Sequence, residues 1–179
     1  MPRIQPVNRE TTDDQTADLL TSVEKKMGRA PNIIATMANS PAVARAYLGI
    51  SQALATGTLS PQLREKLALV VGEQNDCSYC VAAHTAIGKG TGLSDEQTVA
   101  ARRGQSDDPK DDAALRFAHT IVKDRGWVSD ADFEQVRAAG FTDGEIGEIV
   151  ACVAQNIFTN YFNHVAGTEV DFPEPPQLD

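Results

Sequence analysis

The sequence predicts an all-α fold, a helical bundle made of one domain over residues 1–179. Three observations predict it. Apolar residues recur at three- and four-residue spacing, period-two alternation is nearly absent, and helix-start signals punctuate the chain throughout. At 179 residues a single domain can bury an apolar core without disulfides or metals as staples.

Taken in order, Thr12 with Gln15 three residues on forms a capping-box pattern, opening a helix that turns Leu19, Leu20 and Val23 inward and ends near Gly28. Pro31 restarts the chain. Ser40-Pro41 sets a capping hydroxyl before a first-turn proline, and Val43, Ala46, Tyr47, Ile50 and Leu54 follow at helical spacing until Gly57. Ser60-Pro61 repeats that device ahead of an apolar stripe of Leu63, Leu67, Val70 and Val71, which runs out at Asn75-Asp76. A restart at Asp76 places Cys77 in the first turn of a helix reaching about Lys89, closed by Gly90 and Gly92.

Ser94 with Gln97 opens a short helix, Asp108-Pro109 opens one carrying Leu115, Phe117, Ala118, Ile121 and Val122, and Ser129 with Asp132 opens the next. Thr142 and Glu145 open the last, apolar at Ile146, Ile149, Val150, Val153 and Ile157 and extending to about Val165. The polar stretch 104–112 reads as a loop, and no repeat of fixed period is present. The acidic, proline-rich tail 171–179 cannot build a core, and an extended or disordered arm is expected.

The formal charge of -9 opposes non-specific binding to nucleic acid or to anionic membranes, because both phosphate surfaces repel it. No apolar run approaches the roughly 20 residues that span a bilayer, and the Met-Pro-Arg start lacks the apolar core of a signal peptide. A cytoplasmic protein with small-molecule or protein partners is expected. Three cysteines do not make a secreted disulfide scaffold, and in a reducing compartment a close pair more often serves redox or metal chemistry.

On a helix, Cys77, Cys80 and His84 share a face, with Cys80 and His84 one turn apart. Cysteine attacks as thiolate, and a helix N-terminus and a neighbouring imidazole each favour the anion. Cys80 has both by position, and Cys77 lies within disulfide reach, so an oxidised Cys80 can be resolved without large backbone movement.

The pattern Glu65, eleven residues, Cys77-Ser78-Tyr79-Cys80, three residues, His84 resembles the signature of the alkylhydroperoxidase D and carboxymuconolactone decarboxylase superfamily. The wording CSYCVAAH from Cys77 to His84, and TNYFNHVAGTEVDFP from Thr159 to Pro173, looks like its peroxidase-related branch. The resemblance implies an AhpD-like bundle centred on a helical hairpin, 60–75 followed by 77–89. It implies a thiol-dependent peroxidase in antioxidant defence, in which Cys80 attacks a hydroperoxide, Cys77 resolves the sulfenic acid, and His84 with Glu65 relays the proton. An external dithiol or protein reductant restores the pair, no cofactor or metal takes part, and relatives usually assemble as trimers or hexamers. One position departs: alkylhydroperoxidase D carries a second histidine where this chain has Tyr79, and a phenol is a poor base at neutral pH.

Glu73, four residues before Cys77, competes with Glu65 for the carboxylate role, with Glu65 ranked first on spacing. Tyr79 and His164 are further candidates for lining the site. Cys152, amid Ile149, Val150 and Val153, reads as core packing, and His119, for want of a partner, as core or surface packing; Trp127 and Phe141, each after a glycine, read as hydrophobic anchors. Other functions remain open: a decarboxylase acting on carboxymuconolactone, a protein disulfide reductase, or a zinc-thiol module built from Cys77, Cys80, His84 and His164.

Overall fold

A computed structural model describes residues 1–178. Nine α-helices and no strands make up the regular structure of the described residues: α1 Asp14–Met27, α2 Asn32–Met37, α3 Pro41–Ala55, α4 Pro61–Gln74, α5 Ser78–Gly90, α6 Asp95–Arg102, α7 Pro109–Lys123, α8 Asp130–Ala138 and α9 Asp143–Ala166. The all-α expectation therefore holds, and local capping chemistry explains most of the boundaries. Ser94, Ser129 and Thr142 each close a capping box, with Gln97, Asp132 and Glu145 reaching back to the cap backbone. Ser60 accepts from the Leu63 N–H ahead of Pro61, and Asp108 accepts from Lys110 and Asp111 ahead of Pro109.

Two expected starts shift by one residue. The first helix is capped by Asp13, whose carboxylate accepts from the Thr16 N–H and hydroxyl, and not by Thr12. Cys77 is the cap of α5 and stands just outside its first turn, after Asp76 in left-handed backbone at φ 53°. At the other end of α1, Gly28 adopts φ 78°, a backbone that an L side chain strains to reach, and its N–H closes on the Glu24 carbonyl.

Helix α4 is the central element, packed against α5, α6, α7 and α9. Its apolar residues enter the larger core with Leu115, Phe117, Ile149 and Val153. A smaller cluster joins α1, α2 and α3 to Cys77, Tyr79 and Cys80. The cysteine pair thus sits where the amino-terminal helices meet the α4–α5 hairpin. Leu67, 0 % exposed, anchors that hairpin, and Leu67→Ala is expected to cost about 2–5 kcal/mol in equilibrium denaturation; a loss well under 1 kcal/mol would mean that α4 is not the packing centre.

Phe141 is buried as an anchor, but Trp127 is not: its side chain is 87 % exposed. Arg125 and Gly126 both take left-handed backbone immediately before it, a tight reversal that turns the indole outward. The tail also differs from a free arm. Residues 171–178 are extended yet docked: Asp171 pairs with Arg29 and accepts from the Asn32 N–H, Phe172 packs edge-on against Tyr79, and the Pro176 carbonyl accepts from Arg102. Asp179 lies outside the described residues. No described helix is long and apolar enough to cross a membrane.

Candidate active site

The turn at Asn75-Asp76 delivers the cysteines into the interior. Cys77 is 1 % and Cys80 2 % exposed, and the Cys77 Sγ accepts from the Cys80 backbone N–H at 3.3 Å, so the first thiol itself caps α5. Gly72 of α4 packs against this turn: a Cβ there would stand 3.4 Å from the Cys80 Cβ, a close approach that lets the two helices bring the thiols together. Helix α9 crosses the pair from the far end of the chain. Asn163 directs its Nδ2 at the Cys80 Sγ, 3.3 Å away, and at the Cys77 Sγ, 3.9 Å away.

One turn beyond Cys80, the His84 Nδ1 lies 2.7 Å from the Glu65 Oε2, with both side chains largely shielded from solvent. Antiparallel packing of α4 on α5 makes this pair. Burial pushes the imidazole pKa down, but the Glu65 charge and hydrogen bond more than reverse that, leaving it above the ordinary histidine value. Glu73 is engaged elsewhere, paired with the Arg102 Nε at 2.7 Å. Of the two carboxylates, Glu65 is the one that touches His84.

The thiols are not equivalent. Cys77 is held down to about 6, first by the hydrogen bond from the Cys80 thiol, against burial, and then by the Cys80 N–H, the Asn163 amide and the charge of His164. Cys80 is pushed up by donating that hydrogen bond, by burial and by the Cys77 anion beside it. The opposed directions follow from the shared hydrogen bond and favour the anion on Cys77 over Cys80. Ultraviolet absorbance of the thiolate is expected to titrate with a midpoint near pH 6; a midpoint near the free-thiol value of about 8.5 would contradict this electrostatic picture. The linked stability has a definite sign. A depressed thiol pKa stabilises the fold fully above about pH 8.5, and the contribution is lost as pH falls through about 6.

Cys77 borders a cleft of about 550 Å³ whose walls include Glu73, Arg102, Val81, Val170 and Phe172. The docked tail is one of those walls. Tyr79 does not face the cleft: its hydroxyl donates to Asp171 at 2.7 Å and accepts from the Ile33 N–H at 3.1 Å, tying the tail to α2. A second cavity, of about 190 Å³, opens on the other side of α5 against Tyr47, Arg64, Glu65, His84, Cys152 and Gln155. Cys152 is both core residue and cavity wall, with its thiol pushed up to about 11 by burial. His164 is exposed and borders neither cavity, and His119 is exposed on α7.

Sequence reasoning assigned no role to Asn160, Asn163, Arg102, Asp171 or Phe172. Asparagines three apart on an apolar helix face were the available signal for the first two. Among the described residues, no group of three or more His, Cys, Asp or Glu side chains gathers at a spacing that could hold a metal ion. The geometry required by a zinc module of Cys77, Cys80, His84 and His164 is therefore not formed.

Comparisons with known proteins agree with this arrangement. The model of the carboxymuconolactone decarboxylase family matches residues 41–124, which include the whole α4–α5 hairpin. A peroxidase-related protein with an alkylhydroperoxidase AhpD core, from Ralstonia eutropha JMP134, has the same fold with a TM-score of 0.86 and 27 % identity over 95 % of this chain and 92 % of that one. A peroxidase-related protein from Silicibacter sp. TM1040 follows with a TM-score of 0.81 and 23 % identity over 93 % and 91 % of the two chains. The debrominase Bmp8, in complex with 2,3,4-tribromopyrrole, superposes with a TM-score of 0.80 and 22 % identity over 94 % and 91 %. No curated protein matches the sequence.

Proposed function

We propose that this chain, which matches the carboxymuconolactone decarboxylase family model over residues 41–124 and shares its fold with a peroxidase-related protein of AhpD core, is a thiol-dependent peroxidase working through a Cys77/Cys80 dithiol–disulfide cycle. The observation that carries the proposal is the convergence, on one helix terminus, of two buried hydrogen-bonded thiols with the His84–Glu65 pair one turn away. Proteins similar to this one include peroxidase-related proteins and a debrominase, so the fold alone does not choose the chemistry. The buried thiol pair beside His84 and Glu65 is what supports peroxide reduction.

In the cycle, a cysteine thiolate attacks the outer oxygen of a hydroperoxide. The S–O bond forms as the O–O bond breaks, sulfur gives up two electrons, and the alkoxide leaves with a proton supplied by the His84 imidazolium. The partner thiolate then displaces hydroxide from the sulfenic acid, forming the disulfide, and an external dithiol returns two electrons. Cys80 attacks and Cys77 resolves in this reading: the Cys77 anion, already hydrogen-bonded to the Cys80 thiol, is placed to take its proton. The opposite order has one observation in its favour, since Cys77 is the thiol favoured as the anion and borders the larger cleft.

An antioxidant role, a cytoplasmic setting and homo-oligomeric assembly belong to the same proposal. The exposed Phe158, Tyr161 and Val165 on α9 support the last of these. Consumption of cumene hydroperoxide by the protein, recycled with dithiothreitol, tests the function. Turnover absent from the double variant Cys77→Ser/Cys80→Ser would support it. Consumption equal to that of the double variant would turn attention to lactone decarboxylation or protein disulfide reduction.

A further inference from the structure

Resting on the peroxidase reading, we propose that Asn160 and Asn163 form an amide cradle for the cysteine pair, holding the sulfur anion and then accepting the O–H of the sulfenic acid made on it. Both residues lie on α9, three apart and hence on one face. They are 0 % and 4 % exposed, inside a helix whose other buried positions include Ile149 and Val153.

Buried amides in folded proteins normally have every end satisfied, since an unmet polar atom costs desolvation with nothing in return. Here two ends are unmet. Among the described residues, the Asn160 Nδ2 and the Asn163 Oδ1 have no hydrogen-bond partner. The pattern of met and unmet ends fits sulfur chemistry. Asn75, at the end of α4, donates to the Asn160 Oδ1 at 2.9 Å, which fixes the orientation of that amide and leaves its Nδ2 free. The Asn160 amide lies near enough to Cys80 to favour its anion, although it completes no hydrogen bond there. Asn163 donates to the Cys80 Sγ at 3.3 Å and, more distantly, to the Cys77 Sγ at 3.9 Å.

A neutral thiol is a weak acceptor, so donors aimed at it gain most when it ionises. The free Asn163 Oδ1 is an acceptor, which a thiolate cannot use. It becomes useful after attack, because the sulfenic acid retains the hydrogen of the peroxide's outer oxygen as an S–O–H donor. One amide thus matches both states of the sulfur in turn, its N–H end the anion and its C=O end the sulfenic acid. Asn163 touches the reacting atom and counts as a catalytic residue on this proposal; Asn160 and Asn75 assist it.

The test uses Asn163→Leu and Asn163→Ala, one adding apolar bulk and the other leaving a void, so that at least one is expected to fold. The first readout is the thiolate titration without peroxide. Around the pair, Glu65 and Glu73 on α4, Tyr47 on α3, and Tyr79, His84 and His164 are unchanged in both variants. The titration is expected to move upward by about one pH unit. The second readout, in a Cys77→Ser background, is the lifetime of the Cys80 sulfenic acid trapped by dimedone, expected to shorten about tenfold. A folded variant with both readouts unchanged overturns the cradle. Failure of the peroxidase reading has a different signature: wild-type protein would consume no hydroperoxide, whatever the titration shows.

Discussion

Cys80→Ser is expected to abolish turnover of cumene hydroperoxide, with a loss of about 1,000-fold or more, because a serine hydroxyl is neither ionised at neutral pH nor oxidisable to a sulfenic acid. Cys77→Ser is expected to remove steady-state turnover as well, but through a different step: one oxidising event takes place and the sulfenic acid then waits on Cys80. Dimedone labelling separates the two. Label on Cys80 in the Cys77→Ser protein, with none on Cys77 in the Cys80→Ser protein, assigns attack to Cys80. The reverse pattern assigns it to Cys77 and makes the cleft against Arg102 and Phe172 the entry route. Both serine variants should stay folded, since each sulfur is replaced by a smaller atom in a turn held by the Asn75–Asn160 contact and by helix capping.

The second large effect is expected at the relay. Glu65→Gln keeps the shape of the side chain but removes the negative charge 2.7 Å from His84. Burial then acts on the imidazole with only the Cys77 charge against it, and its pKa should fall where Glu65 had raised it. General acid–base assistance is typically worth 10²–10⁴-fold, so a loss of about 100-fold or more in kcat/KM for peroxide is expected. The pH dependence carries the sign. A raised histidine pKa stabilises the fold fully below about 6.5 and loses that contribution as pH rises through the folded value; Glu65→Gln should abolish it. Imidazole titration by NMR reads the shift directly. An unchanged His84 titration together with unchanged kcat/KM would show that the pair is structural only.

How much of this was legible in the sequence follows from the range of each interaction. Capping is local, a side chain meeting the backbone three residues on, and so Ser60, Ser94, Ser129 and Thr142 announced their helices correctly. Thr12 and Asp13 are adjacent residues of capping type, and only the fold shows which one accepts. The Glu65 spacing was legible as a motif, and antiparallel α4–α5 packing turns that spacing into contact. Interactions between distant segments left weaker traces. Asn163 meets Cys80 across 83 residues and Asp171 meets Tyr79 across 92, so a docked tail read as an extended or disordered arm. Trp127 misled because apolarity argues for burial, while two successive left-handed residues turned it to solvent.

The redox cycle of the Cys77/Cys80 pair is tested by mixing fully reduced protein with an equimolar amount of cumene hydroperoxide, blocking free thiols, and mapping the peptides by mass spectrometry. A disulfide joining Cys77 to Cys80, formed as the peroxide disappears and leaving Cys152 reduced, is the expected result. Both thiols still free while peroxide remains would contradict it.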